Sequence, residues 1–208
     1  SANTPLREGK ATVREGGIRI PYIISGPGVQ AGSVSSVPVM TTDLYSTIAT
    51  LAGRKDALPT NVEGADLTPL LSNAGALPAG MDHLERNYHD GGELYWHWPM
   101  NFGAGPVSRT RPSSAIRDGD FKLFVEWGEH GNADVLSLYN LSTNLSETSN
   151  LALAMPQKTA ELKAKLDNYL AQVDAPFAYD VKAPVQLVWN AGRPGVDAAG
   201  WRSTTDAN

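Results

Sequence analysis

Apolar positions fall into a few short patterns along the chain. Ile18, Ile20, Tyr22, Ile23 and Ile24 crowd a β-branched stretch that Ser25-Gly26-Pro27-Gly28 ends, which predicts a short buried strand. From Thr41 to Gly53 the period changes. Leu44, Ile48, Leu51 and Ala52 share one helical face, Thr41 or Thr42 can cap the start, and Gly53 closes the end. Alternation then takes over. Ser113 to Arg117 and Phe121 to Trp127 flank Asp118-Gly119, a hairpin signature. Phe121, Leu123, Val125 and Trp127 alternate with Lys122, Phe124 and Glu126, giving one apolar face and leaving Lys122 on an outer face expected to be solvated. Val135 to Leu141 supplies a further strand. Leu162, Leu166, Tyr169, Leu170 and Val173 recur at helical spacing, so a helix over 157–173 can lie across that sheet. Beyond Ala175 the tail holds one apolar patch, Val185 to Trp189.

The predicted fold class is an α/β fragment plus an α+β unit: the last strand and helix of an α/β layer, followed by a small antiparallel sheet with one packed helix. Residues 1–72 form the first part and 82–175 the second. The small, polar, Pro- and Gly-containing stretch 73–81 is the linker, and 176–208 is an extended tail. One strand and one helix cannot bury both faces of a parallel sheet, so the first part reads as the back portion of a larger layer. The apolar faces of 18–24 and 44–52 are expected to be exposed.

Composition narrows the function classes. A hydrophobic share of 41% in 208 residues excludes a wholly disordered chain. No apolar run approaches the roughly 18 residues of a membrane span, and SANTPLREGK has no apolar signal-peptide core. With 17 basic and 22 acidic residues, and the basic ones scattered, a nucleic-acid footprint is not expected. The absence of cysteine removes disulfides, zinc–thiolate sites and thiol nucleophiles together.

Two segments carry candidate chemistry. Between Arg7 and Pro21, charges crowd a stretch punctuated by Gly9, Gly16 and Gly17, and Lys10 is placed to meet an anion as a compact point charge. The spacing is not that of a phosphate P-loop, and a solvated mixed-charge loop is the alternative reading. In Tyr95-Trp96-His97-Trp98-Pro99, aromatic faces beside an imidazole suit stacking on a sugar or aryl ring with one polar contact; a core cluster with a satisfied histidine is the alternative. His83, His89 and Asp90 match no metal-site spacing, and His130 reads as a loop tip, so no metal site is expected.

Pro5-Leu6-Arg7-Glu8-Gly9-Lys10-Ala11, followed by Glu15-Gly16-Gly17-Ile18-Arg19-Ile20-Pro21, resembles the second signature of the sulfatase family. Further matches follow in family order: Pro27-Gly28, Thr42-Asp43-Leu44, Glu63-Gly64 with Leu67-Thr68-Pro69-Leu70-Leu71, Tyr95 to Pro99, Ala115 to Leu123, and Leu138-Tyr139-Asn140-Leu141 with Glu147 and Asn150-Leu151-Ala152. The resemblance covers roughly residues 5–175. It implies the C-terminal portion of an arylsulfatase-like member of the alkaline phosphatase superfamily, whose small domain carries a sheet of about four antiparallel strands. Ala11 stands in place of a usual glycine and Arg14 in place of a common tyrosine.

The resemblance also implies a reaction. A formylglycine made from Cys or Ser in a [CS]-x-P-x-R motif attacks the sulfur of a sulfate ester beside a calcium ion. That motif is missing: Asn3-Thr4-Pro5-Leu6-Arg7 has Asn at the nucleophile position. The nucleophile and the calcium ligands are therefore expected in an N-terminal catalytic half, and the fragment alone is expected to be inactive. By the same carry-over Lys10 is the catalytic contact to the sulfate group, Glu15 and Arg19 brace its loop, and Trp96, His97 and Trp98 form a substrate rim. The implied partner is a sulfated small molecule or glycan, with no nucleic acid and no membrane, in a periplasmic or secreted setting. Two alternatives stand beside this: a non-catalytic module binding anionic glycans, and a superfamily relative acting on phosphate or phosphonate esters.

Overall fold

The computed structural model describes residues 3–86, 91–100, 111–128 and 133–176, together with the backbone of 187–189 and 201–203. Four antiparallel strands form a meander: β1 (Leu94–Trp98), β2 (Ser113–Asp118), β3 (Phe121–Glu126) and β4 (Val135–Asn140), in the spatial order β1-β2-β3-β4. Asp118 pairs with Phe121 across a two-residue turn, and Gly119 there has a φ of 58°, which glycine adopts without steric cost. The hairpin and the strand after it thus follow the sequence pattern. β1 does not: its run of aromatics, with little polar alternation, reads as a rim cluster, yet it pairs with β2 from Leu94↔Arg117 to Trp98↔Ser113. Residues 187–189 and 201–203 pair as a separate two-stranded ribbon.

One face of the sheet packs on a helix, α4 (Pro156–Gln172), through Leu162, Leu166 and Leu170 against Ile116, Leu123, Val125, Trp127 and Leu138. Polar ties fix the helix at its edges. Lys165 Nζ donates to Glu93 Oε1 (2.6 Å) and Asp118 Oδ2 (2.7 Å). Tyr169 stacks on Tyr95 with centroids 4.0 Å apart, and its hydroxyl donates to Glu63 Oε1 at 2.7 Å.

The opposite face is covered as well, and this corrects the expectation for Lys122. Ala115, Phe124, Tyr139 and Leu141 pack against Val13, with Ile18, Trp96, Trp98 and Leu145 around them. Because the N-terminal segment lies over this face, Lys122 is 0% exposed instead of solvated. Packing therefore crosses the expected boundary between 1–72 and 82–175.

The N-terminal region holds a one-turn helix α1 (Glu15–Ile18), α2 (Asp43–Leu51), a 3₁₀ turn at Lys55–Ala57 and α3 (Thr68–Ser72). The strand expected over 18–24 is replaced by the end of α1 and an extended run. That run has no ladder partner among the described residues, and a strand needs one. Tyr22 and Ile24 pack beside the buried cluster of Ala65, Leu67, Leu70 and Leu84, whereas Ile23 is 90% exposed. Leu44, Ile48 and Leu51 of α2 are exposed, as expected of that face.

No side-chain cap from Thr42 starts α2. Asp43, fully buried, takes that organising role. Its carboxylate accepts from the N–H groups of Met40 (2.7 Å) and Ala65 (2.9 Å) and binds the Arg86 guanidinium with both oxygens. Thr47 Oγ1 donates to the Asp43 carbonyl and accepts from Leu67 N–H at 2.9 Å. Gly64 is required where this loop meets the helix start, because a Cβ there would lie 2.1 Å from the Thr42 carbonyl oxygen.

Two outcomes follow from this packing. Leu166→Ala empties a fully buried position between helix and sheet and is expected to cost about 2–5 kcal/mol of stability by urea denaturation; a loss below about 0.5 kcal/mol would contradict the packing. Burial pulls the Lys165 ammonium down, but hydrogen bonds and charge from Asp118 and Glu93 outweigh it and hold its pKa above the ordinary 10.5. The stabilisation is then complete below pH 10.5 and fades as pH climbs through the raised folded value. Lys165→Gln should lower stability by about 0.5–1 kcal/mol near neutrality, since the side chain stays partly exposed. The gap to wild type should close only in strongly alkaline solution; a constant gap through that range would contradict the ion-pair account.

Candidate functional site

The charged stretch from Arg7 to Arg19 folds into a clasped loop. α1 begins at Glu15 because Gly16 and Gly17 let two older turns of chain lie against it. A Cβ at Gly16 would sit 2.4 Å from the Arg7 carbonyl oxygen, and one at Gly17 would sit 2.2 Å from that of Thr12. Gly16 N–H donates to the Arg7 carbonyl at 3.0 Å, and Thr12 Oγ1 donates to the Gly9 carbonyl at 3.0 Å. Both ends of the 7–12 loop are thereby held to 14–17. Within it, Glu8 (φ 61°) and Ala11 (φ 74°) adopt the left-handed conformation, which is uncommon for residues with a Cβ. Ala11 is the position where the sulfatase resemblance has a glycine, and the backbone geometry supplies the reason.

Beneath the loop lies a buried ionic network. Lys122 Nζ reaches Glu15 Oε1 at 2.9 Å and Glu147 Oε1 at 3.1 Å, the latter as an ion pair without hydrogen-bond alignment. Glu147 Oε2 accepts the Glu15 backbone N–H at 2.8 Å, and the Glu147 carbonyl accepts from Arg7 Nη1 at 2.8 Å. Arg14 is buried with its guanidinium 3.5 Å from the centroid of Phe124, and its Nη1 donates to the Tyr139 hydroxyl at 3.0 Å. Glu15, expected to brace the loop, is thus seated at the centre of the network. Arg19 is its outer partner, 3.7 Å away and half exposed.

Lys10 sits at the loop's tip. It is exposed, and among the described residues it has no ion-pair partner, whereas Arg7, Arg14, Arg19 and Lys122 are all paired. A cleft of ≈ 620 Å³ is lined by Glu15, Arg19, Arg117, Asp120 and Trp96 among others, and Lys10 is not one of its lining residues. Burial lowers the Arg117 pKa from its ordinary value, with Arg19 adding repulsion and Glu15 and Asp120 opposing the shift.

The aromatic rim is divided by the pleat of β1. Successive residues of a strand face opposite sides, so Trp96 and Trp98 pack on the Phe124 face while Tyr95 and His97 face α4. Only Trp96 of the expected trio lines the cleft. His97 is engaged at both ring nitrogens: Nδ1 lies 2.7 Å from Ser114 Oγ and Nε2 2.7 Å from the Pro176 carbonyl, while Trp127 Nε1 donates to the same Ser114 oxygen at 2.8 Å. His83 pairs with Asp82. His89, Asp90 and His130 lie outside the described residues. Among the described residues no three His, Asp or Glu side chains converge as a metal ion would need, so calcium finds no fitting ligand set there.

Sequence reasoning missed Lys122 and Glu147 as parts of the site. Lys122 sits at a polar register position that looks solvated until the N-terminal segment is placed over it. Glu147 stands in a turn with φ 50° and no periodic pattern around it.

No protein-family model matches the chain. A sulfatase of Formosa agariphila is 34% identical over 178 residues, covering 81% of this chain and 29% of that protein. The solved structure of BT4656 in complex with its substrate, D-glucosamine-2-N,6-O-disulfate, is 25% identical with a TM-score of 0.52, covering 74% of this chain and 28% of that one. The structure of Ps i-CgsB in complex with k-i-k-neocarrahexaose shares the fold at a TM-score of 0.61 and 22% identity, over 87% of this chain and 35% of that one. The chain spans under a third of the length of the Formosa relative. Its motifs, its four-stranded sheet with one packed helix and these matches together make the chain similar to a part of the sulfatases.

Proposed function

We propose that this chain is the C-terminal portion of a hydrolase of sulfate esters, and that Lys10 is the residue through which it takes part in the reaction. One observation carries the reading: the loop clamped by Gly16 and Gly17 presents an exposed ammonium with no ion-pair partner among the described residues, while Arg7, Arg14, Arg19 and Lys122 are paired. A compact unpaired cation suits the non-bridging oxygens of a sulfuryl group, whose charge it stabilises as the ester bond to the leaving alcohol breaks. The formylglycine and calcium that the sulfatase resemblance implies have no counterpart among the described residues. This chain's own contribution is therefore electrostatic and positional.

Sulfated carbohydrate is the substrate class the reading favours, because BT4656 binds a disulfated glucosamine and shares the fold and a quarter of the aligned residues. Trp96, on the cleft wall with Arg19 and Arg117, is the member of the aromatic trio placed to meet a sugar face. His97 and Trp98 serve the rim by holding β1 in place. The non-catalytic glycan-binding alternative is weakened by the same geometry, since the pleat breaks up the aromatic platform it needs.

In the full-length protein, Lys10→Ala should lower turnover of a sulfate ester by on the order of 10²-fold or more. Sulfate and phosphate esters of one aryl alcohol, compared side by side, should show preference for sulfate. Unchanged turnover in Lys10→Ala would remove the role given to this residue, and preference for the phosphate ester would move the protein to another branch of the superfamily.

A further inference from the structure

We infer that Lys122 and Glu147, both from the antiparallel sheet unit, are positioning residues for Lys10: together they fix the loop that presents its ammonium to an anion. The inference rests on the reading of Lys10 as the sulfate-contacting cation and adds to it the parts that aim it.

The connection runs through named contacts. Lys122 Nζ holds the Glu15 carboxylate at 2.9 Å, and Glu147 holds the Glu15 backbone N–H at 2.8 Å, so the first residue of α1 is gripped at side chain and main chain together. The Glu147 carbonyl grips Arg7 through Nη1 at 2.8 Å. Arg7 and Thr12 bound the loop that carries Lys10, and their carbonyls press on Gly16 and Gly17 too closely to admit a Cβ. Between them Glu8 and Ala11 are held in the left-handed conformation. A loop with two such residues has alternative backbone states of lower strain, and it stays in this one only while its surroundings over-determine it. Lys122 and Glu147 supply that constraint from across the sheet, at sequence separations of more than a hundred residues.

The chemistry of the network argues for aim over bulk stability. A lysine buried between two carboxylates is a poor stabiliser compared with well-packed apolar residues of similar volume, because three ions must be desolvated. What the ions provide, and a methionine would not, is direction: a fixed bearing for the Glu15 carboxylate and for the N–H that starts α1. Misplacing a reacting or contacting group by about an ångström can cost on the order of 10²-fold in rate, so a loop set in this way has much to lose.

A double-variant cycle on the full-length protein tests this, read by the dissociation constant for inorganic sulfate and by thermal unfolding. Wild type, Lys10→Ala, Lys122→Met and the double variant are compared. Lys122→Met should weaken sulfate binding by about 5–10-fold in the wild-type background and have no further effect in Lys10→Ala, because the aim of an absent ammonium does not matter. Lys122→Arg, which keeps a cation, should recover part of the affinity. Equal weakening in both backgrounds, or a change in unfolding temperature alone, would overturn the positioning role while leaving Lys10 in place. Sulfate binding unaltered by Lys10→Ala would overturn the Lys10 reading and this inference with it. If Lys122→Met does not fold, Glu147→Gln carries the same cycle with the same expectations, since it keeps the side chain's volume and removes its charge.

Discussion

The structure depends on one buried cation. Lys122 is enclosed on the sheet face opposite α4 with a carboxylate on each side, and its placement is what joins the N-terminal signature segment to the antiparallel sheet. Breaking such a group by removing one partner leaves an uncompensated buried charge, at a cost of about 3–5 kcal/mol. The same charges would be disfavoured anywhere that lacked all three members. The segment that carries Lys10 thus has one place to sit, and that place exists only when the sheet has formed. Arg14 adds to the arrangement from the side, its guanidinium on the Phe124 ring and its donor on Tyr139, so the segment is held by ionic, aromatic and hydrogen-bond contacts together.

A second buried charge does the equivalent work in the N-terminal region. Asp43 gathers two backbone N–H groups and the Arg86 guanidinium, and so ties the start of α2 to the loop at 64–65 and to the chain entering the sheet. The outward face of α2 is apolar and exposed: Ile48 at 61% and Leu51 at 64%. The helix is therefore held by its polar side, through Asp43, Ser46 and Thr47, an inversion of the usual amphipathic arrangement. Tyr169, reaching Glu63 from α4, links this region to the far face of the sheet.

What the sequence disclosed and what it hid follow from the range of the interactions. The β2–β3 hairpin, β4 and α4 were legible because turn chemistry at Asp118-Gly119 and the spacing of Leu162, Leu166 and Leu170 are local signals. β1 was hidden because Leu94 to Trp98 is nearly all aromatic or apolar and shows no period. Lys122 was misread for a physical reason: alternation tells which face a residue occupies, not what covers that face, and the covering segment lies more than a hundred residues away. The glycines at 16 and 17 marked the site from the start, but Glu147, which completes it, stands in an irregular turn where the family resemblance marks the residue and no periodicity shows that its carboxylate meets Glu15. The His97–Ser114–Trp127 relay was likewise out of reach, since it needs the register of β1 on β2 to bring those side chains together.

The central claim is that the signature segment is locked to the sheet by the Lys122 group, and amide hydrogen exchange at Glu15 and Gly16 tests it most directly. Both N–H groups are bonded across the network, to Glu147 Oε2 and to the Arg7 carbonyl. The account predicts that they exchange as slowly as the amides of Leu123 and Val125 in the middle of β3, opening only when the sheet itself unfolds. Exchange at the rate of a surface loop, with β3 still protected, would show that the segment rests on the sheet without being fixed to it, and would contradict the account.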